Sequence, residues 1–174
     1  MLYKGLIFRR FLKRKIIKKI KLLIFDFDGV LTNNKVIVNE EGLESVVCDR
    51  ADGLAFDSIK LNHLNCLILS TETNKVVKVR AEKIGIKVIN GVSDKLNEVR
   101  NLADSYNIDL DNIMFIGNDL NDLSVVKAVG ISACPADSHP LIKKYSTFIL
   151  RNNGGNSVVR EIVERILYID IVDH

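Results

Sequence analysis

KLLIFDFDGVLT, residues 21–32, is an apolar run that stops on two carboxylates. Leu22–Phe25 has the length and composition of a buried strand. Side chains two apart on a strand share a face, so Asp26 and Asp28 are expected to project together where it ends. Gly29 lets the chain turn sharply just beyond. Two carboxylates so close repel each other unless a shared proton or a cation offsets them. A divalent metal is the economical solution. Taken alone, Asp26–Gly29 also fits a plain strand end and turn, so the rest of the chain has to decide.

Downstream, residues 34–49 read as a β-hairpin. Lys35–Asn39 carries Val36, Ile37 and Val38, a turn falls at Glu40, Glu41 and Gly42, and Leu43–Cys48 returns with Val46 and Val47. A helix is expected from about Gly53 to Asn62. Strands then alternate with helices. Strands are predicted at Cys66–Leu69, Ile86–Ile89, Asn112–Ile116, Ile131–Ala133 and Thr147–Leu150. Helices are predicted at Asn74–Ile84, Asp94–Tyr106 with Ser93 as N-cap, Leu120–Val129, Pro140–Lys144 and Ser157–Ile169. This rhythm predicts an α/β fold, a Rossmann-like parallel sheet with helices on both faces. Such sheets bind ligands at the carboxyl ends of their strands. Too little chain separates Thr32 from Ser70 for a separate cap domain; the hairpin stands in its place.

The 174 residues suit one domain, covering 21–174, behind a basic extension at 1–20. Residues 1–21 hold nine Lys or Arg and no acid, whereas the remainder holds 16 basic and 22 acidic residues. The overall charge of +3 therefore hides a mildly acidic body, which argues against a nucleic-acid-binding domain. Leu6, Phe8, Phe11, Ile16, Ile17 and Ile20 form only a rough helical stripe. The extension reads as a solvated or locally packed arm in preference to a helix on an anionic membrane. No apolar run is long enough to span a bilayer, and the two aspartates cut short any signal-peptide core. Cys48, Cys66 and Cys134 are odd in number and far apart, so they are read as reduced thiols and the compartment as cytoplasmic.

Each predicted strand end carries a polar set: Asp26 and Asp28, then Ser70, Thr71 and Glu72, then Ser93, Asp94 and Lys95, then Gly117–Asp122. DFDGVLT, a Ser after a strand, a Lys and GNDLND, in that order, resemble the haloacid dehalogenase superfamily of phosphatases over about residues 21–170. The hairpin, RADG at 50–53, GVSDK at 91–95 and NNGG followed by VVRE resemble one subgroup. Its members dephosphorylate eight- and nine-carbon 3-deoxy-2-keto sugar acids, such as octulosonate 8-phosphate and nonulosonate 9-phosphate. A phosphatase-like domain attached to some acylneuraminate cytidylyltransferases is similar as well.

The resemblance implies Asp26 as nucleophile and Asp28 as general acid and base, with Ser70 and Lys95 on the phosphate. It implies Mg²⁺ held by Asp26, the Asp28 carbonyl and a residue of 117–122. Relatives usually place Asp where this chain has Asn118, so Asp119 and Asp122 are candidates to supply the missing charge. Octulosonate phosphatases typically follow the second-motif Ser or Thr with Gly-Arg. Here Thr71 and Glu72 follow, and with Arg80 and Lys83 on one helix face they resemble the nonulosonate branch. The expectation is a Mg²⁺-dependent phosphatase for a nonulosonate 9-phosphate, with octulosonate 8-phosphate second. A broad metabolite phosphatase and a non-catalytic assembly domain are the rivals. The apolar hairpin, and the subgroup's habit, predict a homotetramer.

Overall fold

A computed structural model describes residues 18–171. The reading of residues 1–20 as an arm therefore falls almost wholly outside the described residues. Inside them, the Lys19 carbonyl accepts from the Asn112 side chain, the Lys21 amide donates to the Asn112 carbonyl, and Ile20 is buried. These contacts tie residues 19–21 to the end of the sheet.

Six strands form one parallel sheet: β1 (Leu22–Phe25), β4 (Asn65–Leu69), β5 (Lys87–Ile89), β6 (Ile113–Ile116), β7 (Ile131–Cys134) and β8 (Phe148–Ile149). Their spatial order is β5-β4-β1-β6-β7-β8. β1 is central, pairing Leu22 with Asn65 on one side and with Ile113 on the other. Every residue of β1 is buried, which explains a continuous apolar run without alternation. The pleat then divides the strand. Leu23 and Phe25 join one apolar layer, Leu22 and Ile24 the other.

The first layer is covered by α1 (Ala51–Leu61), α2 (Lys75–Ile84) and α6 (Val158–Glu161), which runs on as a π-helical turn over Ile162–Leu167. Phe25 meets Phe56 of α1 edge to face, centroids 5.2 Å apart. The second layer is covered by α3 (Lys95–Tyr106), α4 (Leu123–Ala128) and α5 (Pro140–Tyr145). Each fully buried Leu, Ile or Phe contributes roughly 1.5–3 kcal/mol, so both layers hold β1 firmly.

Several expected boundaries move for local reasons. α2 ends as predicted at Gly85, which takes the left-handed conformation (φ 65°). The cap of α3 is Asp94, whose carboxylate accepts from the Asn97 amide, and not Ser93. The helix predicted over Leu120–Val129 starts with a 3₁₀ turn, Leu120–Asp122, and becomes α-helical only at Leu123. Asp122 is pulled inward there, which tightens the first turn.

β2 (Thr32–Val38) and β3 (Glu44–Cys48) form a separate antiparallel pair, with an irregularity between Thr32 and Val36 where Asn34 has a positive φ. The strand begins three residues earlier than predicted and leads straight out of the loop after β1. Among the described residues no helix is long and apolar enough to cross a membrane.

Candidate active site

From β1 the chain moves outward to β4 and β5, then returns to β6 and goes the other way to β7 and β8. The crevice outside the carboxyl ends of β1 and β6 is therefore the switch point where such sheets bind ligands. Residues 26–28 and 117–122 sit there.

β1 ends at Phe25, so strand pleating does not set the two aspartates. A tight loop does: the amides of Val30, Leu31 and Thr32 all point to the Phe27 carbonyl. Asp26 turns inward, only 4% exposed, and its Oδ1 accepts from the Phe27 amide (2.7 Å). Asp28 stays half-buried and accepts from the Thr32 hydroxyl at 3.4 Å. Thr32 Oγ1 in turn accepts the Gly29 and Asn34 amides. Thr32 is a functional residue that the sequence reading misses; its spacing of four from Asp28 is the signal for it.

Lys95, at the start of α3, reaches into the same crevice. Its Nζ lies 2.7 Å from Asp26 Oδ1 and 2.7 Å from Asp122 Oδ1. All three side chains are almost fully buried. Burial works against the lysine's charge, but Asp26 and Asp122 outweigh it and raise its pKa. Burial, and next the charge of Asp122, push the Asp26 carboxyl up to about 8 against the pull of Lys95. Asp28 is also raised, by burial first and Glu72 second, while Thr32 opposes the shift.

Both oxygens of Asp122 have protein partners. Oδ1 takes Lys95, and Oδ2 accepts the Asn118 amide at 2.9 Å and the Asp119 amide at 3.4 Å. Asp119 is exposed and its carboxylate caps the Leu120 amide. Asn118, unlike Asp119 and Asp122, has its side chain against the β1 loop. It is buried against Gly29, where a Cβ would overlap its amide. The second glycine of the crevice, Gly117, is needed because a Cβ there would meet Asp122 Oδ2 at 2.5 Å.

Among the described residues no three His, Cys, Asp or Glu side chains group as a ligand set. The candidate oxygen donors around the β1 loop are the Asp26 carboxylate, whose Oδ2 lies outside the bonds above, and the Asn118 side-chain amide against Gly29. These are hard oxygens, few in number, which fits Mg²⁺ that keeps several waters. With its three groups ionised, the buried Asp26–Lys95–Asp122 cluster carries one excess negative charge, which a dication offsets.

Ser70 follows β4 and is buried, with its amide on the Ile89 carbonyl and its carbonyl taking the Val92 amide. Its Oγ accepts the Glu72 amide at 3.0 Å, which leaves the hydroxyl proton free to donate. Thr71 is exposed. Glu72 lies close enough to act on Asp28, but its Oε1 already accepts the Thr73 and Asn74 amides.

Arg80 and Lys83 are not brought to the cluster. Arg80 is half-buried and donates to the Asp49 carbonyl at 2.7 Å. Lys83 is exposed in the last turn of α2, about 12 Å of helix rise from Lys75.

Residues 31–162 match the haloacid dehalogenase-like hydrolase family. The 3-deoxy-D-manno-octulosonate 8-phosphate phosphatase of Yersinia pestis is 31% identical over 149 residues, 85% of this chain and 80% of that protein. Its counterpart from Escherichia coli K12 is 30% identical over 151 residues, 86% and 80% of the two chains. The crystal structure of the Moraxella catarrhalis enzyme of the same name, in complex with magnesium ion, phosphate ion and a KDO molecule, superposes with a TM-score of 0.85 at 32% identity and covers 90% of each chain. With the family match running from the β1 loop through α6, this chain belongs to the haloacid dehalogenase-like hydrolases.

Proposed function

We propose that this chain removes phosphate from a 2-keto-3-deoxy sugar-acid phosphate, with 3-deoxy-D-manno-octulosonate 8-phosphate as its first candidate. The enzyme is a phosphoric monoester hydrolase that uses Mg²⁺, in keeping with its family and with the magnesium in the Moraxella structure. The observation that carries the reading is the buried Asp26–Lys95–Asp122 cluster in the crevice, with Asp28 two residues from Asp26.

Asp26 is the nucleophile. Its carboxylate attacks phosphorus in line and forms an aspartyl-phosphate as the sugar oxygen leaves. Asp28, raised by its burial and by Glu72, gives a proton to that oxygen and then takes one from the attacking water. Ser70 donates its free hydroxyl proton to a phosphate oxygen. Lys95 has three N–H bonds; two hold Asp26 and Asp122, and the third serves the phosphate. Asp26, Asn118 and the Asp28 carbonyl would hold Mg²⁺, which would supply charge neutralisation for the phosphate oxygens.

The order of substrates reverses the sequence expectation. The relatives above bear the octulosonate name, and the groups that favoured the nonulosonate branch are occupied elsewhere. Glu72 binds two amides and Arg80 binds Asp49. A nonulosonate 9-phosphate remains second because Glu72 still borders Asp28. Retention of Asp26, Asp28, Ser70 and Lys95 counts against a non-catalytic assembly domain.

The hairpin supports a homotetramer. Val36, Ile37 and Val38 are consecutive, so they face opposite sides, yet Ile37 is 63% exposed and its neighbours at least 50%. A lone hairpin with two bare apolar faces gains by pairing with copies of itself.

Steady-state assays on the two sugar-acid phosphates, with Mg²⁺ and with EDTA, test the reading. A higher kcat/KM for the octulosonate, abolished by EDTA and by Asp26→Asn, is expected. Activity surviving Asp26→Asn overturns the mechanism; a preference for the nonulosonate overturns the substrate.

A further inference from the structure

The loop at residues 151–157, RNNGGNS, lies behind the β1 loop and touches none of the reacting groups. Its two glycines make the contact. A Cβ on Gly154 would overlap the Gly29 carbonyl, and one on Gly155 would fall 2.5 Å from the Asn33 amide nitrogen and the Thr32 carbonyl carbon. The Gly155 amide donates to the Val30 carbonyl at 2.9 Å. The loop is thus pressed on the backbone of Gly29–Asn33, the segment from which Thr32 holds Asp28.

Four carboxylates fasten this loop and the helix start that follows it. Glu161 accepts the Arg151 and Asn152 amides. Asp137 accepts the Gly154 amide at 2.9 Å. Asp49 takes the Ser157 hydroxyl at 2.5 Å, where Ser157 stands at a positive φ of 56°. Asp52, from the RADG stretch, is 2% exposed and its Oδ1 accepts the Val159 and Arg160 amides at 2.9 and 3.2 Å. Its Oδ2 is buried with no partner among the described residues. Burying an acid costs free energy, and with Oδ2 unpaired the two amide bonds offset only part of it.

We propose that Asp52 and the 151–157 loop form a positioning device that fixes Asp28 through the backbone of Gly29–Asn33 and through Thr32. This rests on the reading of Asp28 as the general acid. Asp52 touches no substrate. It anchors the start of α6, the anchored loop presses on the β1 loop, and Thr32 then meets Asp28 at the right place. A misplacement of the order of 1 Å in such a group costs up to about a hundredfold in rate.

Leaving-group chemistry separates positioning from mere stability. p-Nitrophenolate leaves without a proton, whereas an alkyl alcohol needs one. Asp52→Ala, and the milder Asp137→Ala at an exposed position, should lower kcat/KM on glycerol 2-phosphate by about tenfold or more while p-nitrophenyl phosphate changes by less than about threefold. Asp52→Asn keeps an acceptor for both amides and should restore the alkyl substrate. Hydrogen exchange gives a second readout independent of turnover: in Asp52→Ala and Asp137→Ala the amides of 29–34 should exchange faster while those of Leu22–Phe25 do not. Equal losses on both substrates, unchanged exchange at 29–34, or Asn no better than Ala would each overturn the device. If the native protein turns over neither phosphate, nor the sugar-acid phosphates, the phosphatase reading falls and the exchange data alone still decide whether Asp52 fixes the loop.

Discussion

Replacing Lys95 with Met tests the buried cluster most directly. The substitution keeps the side chain's length and its apolar stem but removes the ammonium from between Asp26 and Asp122, each 2.7 Å away. Both carboxylates are at most 5% exposed, so water replaces little of what is lost. Removing one partner of a buried ion pair typically costs about 3–5 kcal/mol. For a domain of this size that is a fall in Tm of roughly 6–20 °C. Urea unfolding in EDTA, followed by far-UV circular dichroism, measures it, provided the slope stays unchanged. The loss should be larger above pH 8 than at pH 6, because Asp26, already raised to about 8, takes up a proton at the lower pH and relieves the repulsion. A loss under about 1 kcal/mol, the worth of an exposed pair, would refute the picture of Lys95 as the neutralising charge of a dry site.

Other perturbations reach the remaining parts. Asn118→Asp adds a charged ligand beside Asp26 and should lower the Mg²⁺ concentration for half-maximal activity; an unchanged or higher value removes Asn118 from the metal site. Without metal, Asp26 (about 8), Asp52 (about 7) and Asp28 all sit above their ordinary range. Their stabilising share is complete below about pH 4 and is lost as pH rises through about 8. Denaturation of the EDTA-treated protein should therefore show stability falling across that window, less steeply in saturating Mg²⁺; a flat or rising profile contradicts it. Ile37→Glu with Val47→Glu should convert a tetramer to monomers in light scattering behind size exclusion, and a monomeric native protein would end the assembly proposal.

The architecture was legible because its signals are local. An apolar run before Asp26, and Gly85 after Ile84, are written in neighbouring residues, and the alternation of strands and helices followed from them. The cluster at the strand ends was legible as a set of residue types, yet its wiring was not. Nothing in the spacing of Asp122 says that both of its oxygens are taken by Lys95 and two amides. Arg80 and Lys83 share a helix, but the direction of α2 leads Lys83 away from the crevice, and Arg80 is spent on a carbonyl. Asp52 is the clearest case. RADG marks a helix start in the sequence, while the amides it caps lie more than a hundred positions further on. Contacts of that range depend on the fold being closed.

The strand order has a consequence for how the protein is made. Among the described strands β1 comes earliest, and it is the only one whose two neighbours, β4 and β6, both come from far downstream. As the chain emerges, LLIF is wholly apolar and has no edge to join until Asn65–Leu69 arrives, and no second edge until Ile113–Ile116 follows. Pairings this distant in sequence form late and leave apolar strands open to other chains in the meantime. The strand that leads into Asp26, the proposed nucleophile, is thus the segment with the longest wait, and a growing chain has no complete crevice before Asp122 has left the ribosome. Until those partners arrive, residues 22–25, next to the proposed nucleophile Asp26, are the apolar stretch most in need of cover.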